Sequence, residues 1–127
     1  MRSFSSKYFQ CGDGRLDSYT WCSGNPAIGE WYQLDDGVVG KIAGVAIKGR
    51  LDENQWVTTF KVMSKDVDGV WTDVEAGKVY MGNTESVRDT QVNVFFAAPV
   101  DARYIRIYPQ TWYGWVSLRA DIFAIDP

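Results

Sequence analysis

Apolar residues in this chain recur at every second position or run continuously for a few residues. Nowhere do they keep the i, i+3, i+4 spacing of an amphipathic helix beyond about two turns. Val116, Leu118, Ala120, Ile122 and Ala124 share one parity, so Val116–Ile125 reads as a strand with one face turned inward. Lys41–Lys48 (KIAGVAIK) is a continuous apolar run, suited to a strand covered on both faces. Trp56–Ser64 alternates, with Trp56, Phe60 and Val62 on one side and Lys61 on the other. Asp66-Val67-Asp68-Gly69 supplies a turn before Val70–Val74, the signature of a hairpin. Glu30–Leu34, Lys78–Met81, Val92–Phe96 and Arg103–Tyr108 complete the set, with Pro109 read as a turn before Trp112. About eight strands with short connections fold most simply into two packed antiparallel sheets, an all-β sandwich or jelly roll.

A length of 127 residues, without repeats or linkers, suits one domain over residues 1–127. Its 46% hydrophobic content is ample for one core, and a net charge of −3 does not favour a duplex or an anionic membrane. No apolar run approaches the roughly 20 residues that cross a bilayer. Ser3, Ser5, Ser6 and Lys7 interrupt any signal-peptide core near the start.

Chemistry is sparse. With no histidine, Ser-His and Cys-His nucleophilic sites are ruled out, along with the commonest metal ligand. Two cysteines, Cys11 and Cys22, cannot close an ordinary zinc site without it. They can pair across a short loop or stay reduced. Asp66-Val67-Asp68-Gly69 opens like a calcium loop but lacks the later acidic ligands, which favours the hairpin turn. Asp35 and Asp36, neighbours in an extended segment, point to opposite faces and cannot converge on one glycosidic bond. Glycines show no phosphate-loop spacing, and the dispersed lysines and arginines leave no nucleic-acid footprint. The chain therefore reads as a binding module, not an enzyme. Aromatics beside polar residues at Tyr8-Phe9, Asn54-Gln55-Trp56 and Trp112-Tyr113-Gly114-Trp115 equip it for recognition. Trp56 and Trp112 read as core, while Tyr113 and Trp115 divide evenly between core and rim.

Gly14-Arg15-Leu16-Asp17, Trp21-Cys22 and Glu30-Trp31-Tyr32-Gln33-Leu34-Asp35 resemble motifs of the discoidin family, the coagulation-factor type C module. The resemblance continues through Ile47-Lys48-Gly49-Arg50, Gln55–Val62, Gly69-Val70-Trp71, Gly82-Asn83-Thr84, Ala102–Ile107, Pro109–Trp112 and Ser117-Leu118-Arg119. It implies an eight-stranded jelly roll whose loops project from one end and hold a ligand, with the termini together at the other end. By matched position these loops are Lys7–Asp13, Leu51–Gln55 and Glu85–Thr90. Arg50 matches an arginine that contacts ligand in several members; the alternative is a structural ion pair at the loop base. Many extracellular members tie their first and last strands with a disulfide. No cysteine lies near Pro127 here, a pattern closer to slime-mould and bacterial carbohydrate-binding members, and it tilts the expectation for Cys11 and Cys22 towards free thiols.

The resemblance also implies an extracellular or cell-surface setting, and it leaves the ligand open among glycans, phospholipid surfaces and matrix proteins. Acidic residues Asp52 and Glu53 in the second loop repel an anionic surface but can accept from sugar hydroxyls. We therefore expect a glycan or glycoprotein ligand held by Arg50, Tyr8, Phe9, Asp52, Asn54 and Trp115. Reversible attachment to lipid headgroups is the second expectation and a collagen-like protein the third. No cofactor is required. A structural calcium ion, known in some members, would have Asp13 and Asp17 as its nearest candidates.

Overall fold

The computed structural model describes residues 2–50, 52–66 and 69–125. It holds an eight-stranded antiparallel arrangement in which strands follow the order β2-β8-β3-β7-β4-β5, with β1 beside β3 and β6 beside β4. The strands are β1 (Arg2–Phe4), β2 (Trp21–Cys22), β3 (Tyr32–Lys48), β4 (Trp56–Lys65), β5 (Thr72–Asp73), β6 (Tyr80–Met81), β7 (Val92–Tyr113) and β8 (Ser117–Ile125). The all-β jelly-roll expectation holds.

Two long strands organise the layers. β3 joins the expected Glu30–Leu34 and Lys41–Lys48 segments, and β7 joins Val92–Phe96 to Arg103–Tyr108. Each carries a wide bulge where the sequence suggests a break. Asp35 pairs with Tyr104 and Gly40 with Ala102, so residues 36–39 swell out of β3. Ile42 pairs with Val100 and Gly44 with Phe95, so Pro99 sits in the swelling of β7. Bulges bend a strand without ending its pairing. One end of β3 thus lies between β1 and β7, while the other lies between β7 and β8. Gly44 is required at its bulge because a Cβ there would stand 2.0 Å from the Val94 carbonyl oxygen. Pro109 is no turn: it pairs with Phe60 inside β7, beside a register shift that skips Gln110.

Inward faces of these strands enclose one core that includes Trp21, Tyr32, Ile47, Phe60, Ile107 and Leu118. The Val70–Val74 expectation shrinks to Thr72–Asp73, which pairs with Ser64 and Met63 before a short 3-10 turn at Val74–Gly77. That pairing makes the expected hairpin; Val67 and Asp68 of its turn lie outside the described residues. Arg2 on β1 meets Asp121 on β8 at 3.5 Å, so the first and last strands lie close to each other. Terminal residues 1, 126 and 127 are outside the described set. Among the described residues no helix is long and apolar enough to cross a membrane.

Candidate functional site

Three connections meet at the end of the sheet where β3 stops. After Lys48, the Gly49 amide donates to the Arg88 carbonyl at 2.6 Å, and the Arg50 amide donates to the Gln55 carbonyl at 2.9 Å. The second loop is therefore pinched at its base, and β4 starts at Trp56. β7 turns into β8 through Gly114, whose φ of 77° suits glycine and whose Cα lies so near the second loop that a Cβ would stand 2.7 Å from the Asn54 oxygen. The first loop is anchored by the Tyr8 amide on the Cys22 carbonyl at 2.8 Å and by the Trp21 indole on the Ser6 carbonyl at 2.8 Å.

Cys11 and Cys22 form a disulfide, and no free cysteine is present among the described residues. This corrects the free-thiol expectation. The missing terminal bridge carries no information about this one. The Cys11 amide closes a tight turn on the Tyr8 carbonyl and the Gly12 amide reaches across the loop to the Thr20 carbonyl, which brings Cys11 back beside Cys22.

An open cleft of about 400 Å³ lies between the first loop, the second loop and the β7–β8 turn, lined by Tyr8, Gln10, Cys22, Arg50, Glu53, Gln55 and Trp115. Tyr8 and Trp115 meet edge to face with centroids 6.3 Å apart, and the Trp115 indole is held by the Ser23 carbonyl at 2.8 Å. Arg50 lines the same cleft. Its Nη1 donates to Gln55 Oε1 at 3.2 Å and lies 3.6 Å from Cys22 Sγ, while Nε donates to Asp52 Oδ1 at 2.8 Å. That bond holds the Asp52 carboxyl below the usual range. Ser117 Oγ fixes the Gln55 amide from behind at 2.9 Å. Chemically the cleft offers aromatic faces, a guanidinium, two amides and one carboxylate.

The expected residues distribute unevenly. Arg50, Tyr8 and Trp115 line the cleft together. Phe9 packs on Tyr8 with centroids 5.0 Å apart and is 77% exposed beyond it. Asp52 lines a small adjoining depression instead. Asn54 turns away, accepting from Arg88 Nη1 of the third loop at 2.6 Å. Glu53 and Gln55 of the second loop also line the cleft. So does Gln10, which the sequence did not single out and only its adjacency to Tyr8-Phe9 hinted at. Asp13 is paired with Arg15 at 2.8 Å. Partial burial works to raise its pKa, but the Arg15 hydrogen bond and charge outweigh it. Asp17 lines another cleft, and no three His, Cys, Asp or Glu side chains gather among the described residues. With a guanidinium already on Asp13, these side chains do not fit a calcium ion.

Tyr113 is a rim residue, 55% exposed and stacked on the buried Trp56 with centroids 4.6 Å apart.

A β-sandwich presenting an open, half-polar cleft among loops at one end defines a recognition module. The F5/8 type C domain matches residues 3–122, and the chain belongs to this family, the discoidin family. It is 34% identical over 117 residues to one of the discoidin-1 polypeptides of Dictyostelium discoideum, covering 91% of this chain and 46% of that one. The structure of wild-type discoidin II from Dictyostelium discoideum shares the fold with a TM-score of 0.89 at 22% identity, covering 100% of this chain and 55% of that chain. The family 32 carbohydrate-binding module of NanJ from C. perfringens, in complex with galactose, gives a TM-score of 0.76 at 20% identity, covering 96% of this chain and 91% of that chain. The chain thus spans about half the length of its discoidin relatives.

Proposed function

We propose that this domain is a non-catalytic adhesion module, outside the cell, that recognises a glycan of a glycoprotein through the Tyr8–Arg50–Trp115 cleft. The observation that carries this reading is that two aromatic rings and several hydrogen-bonding groups line one open cleft together. A pyranose has an apolar face for stacking and a ring of hydroxyls that donate and accept. Tyr8 or Trp115 serves the face; Arg50, Gln10 and Gln55 donate, and Glu53 accepts. A module of the same fold that carries galactose supports the same chemistry here. Glu53 is the one carboxylate among the lining residues, whereas glycoside hydrolysis generally employs two, which favours binding over catalysis.

Phe9 supports a second reading. Its exposed ring at the loop tip has the character of a membrane-contacting side chain. Asp52 and Glu53 beside the cleft weigh against an anionic lipid surface. A glycan array run beside a pull-down with phosphatidylserine vesicles separates the two. Glycan binding with vesicles left in the supernatant supports the first, and the reverse supports the second.

A further inference from the structure

Lys48 on β3 and Arg119 on β8 are register partners, two cations placed directly opposite each other on adjacent strands. Like charges so placed cost stability unless something compensates them. Arg119 is only 5% exposed; its Nε donates to the Gly49 carbonyl at 3.0 Å and its Nη1 to the Leu16 carbonyl at 3.1 Å. Its Nη2 is buried with no acceptor among the described residues. The Lys48 ammonium donates to the same Leu16 carbonyl at 3.3 Å, which leaves it further donors. Burial lowers the Arg119 pKa even against the opposing field of Asp89, as expected of a guanidinium short of counter-charge.

These cations border a second open cleft of about 480 Å³, lined also by Asp17, Ser18, Tyr19, Thr20 and Asp52. Asp52 is engaged by Arg50, Asp17 lines the cleft beside the two cations, and the field of Asp89 reaches Arg119. The Tyr19 ring, 80% exposed, makes one wall. A shallow depression joins this cleft to the first, sharing Gln10 and Arg50 with one and Tyr19, Thr20 and Asp52 with the other. The shared side chains place the three side by side across the loop end.

We propose that these adjoining clefts take an extended oligosaccharide, with one sugar in the Tyr8–Trp115 cleft and an acid-bearing residue in the second, its anionic group over Lys48 and Arg119. The inference rests on the glycan reading of the first cleft and adds length and charge to it. Tyr19 stacks on the second sugar, and Ser18 and Thr20 supply hydroxyl contacts. A carboxylate and a sulfate present the same anionic oxygens, so both probes are required.

The test is calorimetric titration with lactose, sialyllactose and sulfated lactose, beside an array of matched neutral and acidic glycans. Acidic glycans should bind at least ten-fold tighter than their neutral cores. Lys48→Gln should abolish that preference while leaving the neutral-core affinity and the melting temperature no lower, because it removes a repulsion. Tyr19→Ala should weaken the longer glycans alone. Equal binding of neutral and acidic partners overturns the inference and leaves the glycan reading standing. So does an acidic preference that survives Lys48→Gln. Binding of no glycan at all removes both.

Discussion

Arg50 Nη1 lies 3.6 Å from Cys22 Sγ, so the arginine that faces the cleft rests on the disulfide that closes the first loop. The same nitrogen stands 3.8 Å from Cys11 Sγ. Loop one and loop two are thus not independent arms. The bridge between Cys11 and Cys22 seats the side chain that the second loop contributes.

Thiol titration of the denatured, unreduced protein should find no reactive group; two would contradict the bridge. Reduction should cost about 2–4 kcal/mol, the usual worth of a short closed loop, and should lower the melting temperature accordingly. It should also weaken ligand binding, because Arg50 loses its seat.

Most of the strand pattern was legible from alternation and apolar runs, as at the doubly covered run in β3. In β8 the alternation did not show that Ser117 and Arg119 are buried as well as Leu118 and Ala120. The joining of Val92–Phe96 to Arg103–Tyr108 was not legible, because Pro99 and the alanines before it have the composition of a loop and only tertiary pairing makes them a bulge. Of the site, Tyr8 and Trp115 stood out as aromatics beside polar residues, and Arg50 stood out through its match to an arginine of the discoidin family. The turning of Asn54 to Arg88 and the disulfide depend on how two loops pack, which no local pattern records.

Asn83 is fully buried and donates from Nδ2 to the carbonyls of Val87 at 2.7 Å and Thr90 at 2.9 Å. It fixes the third loop, whose Arg88 holds Asn54. Asn83→Ala should cost about 1–3 kcal/mol by leaving those carbonyls without their buried donor. Amide exchange should accelerate across residues 84–90, and unchanged protection there would contradict this role.

Burial pushes the Tyr32 hydroxyl up to about 12, against the hydrogen bond it receives from Arg2 at 2.7 Å. The raised value favours the neutral phenol in the folded state. Its contribution is therefore complete below pH 10 and is lost as pH rises from 10 through about 12. Two pKa units correspond to about 3 kcal/mol. Urea unfolding of the wild type should lose this stability in that window, and Tyr32→Phe, weaker at neutral pH, should lose less. Parallel pH curves for the two proteins would contradict the assignment.

Arg50→Ala removes the donors to Asp52 and Gln55 as well as the charge facing the cleft. Glycan affinity should fall about ten-fold or more, since a desolvated charge-assisted bond is worth roughly 1.5–3 kcal/mol. Melting should shift by only a few degrees, because Ser117 still holds Gln55. Global unfolding of this variant would make Arg50 a loop anchor instead.

The central claim is that the Tyr8–Arg50–Trp115 cleft recognises a glycan. Tyr8→Ala tests it with little structural cost, because the ring is partly exposed and its loop is held by backbone bonds. The decisive measurement is binding of wild type and Tyr8→Ala to a glycan array and to phosphatidylserine vesicles, at low and at physiological salt. The wild type should bind glycans with only a modest salt dependence, Tyr8→Ala should lose about ten-fold or more, and vesicles should stay unbound. Vesicle binding that fades steeply with salt, with no glycan bound, would contradict it.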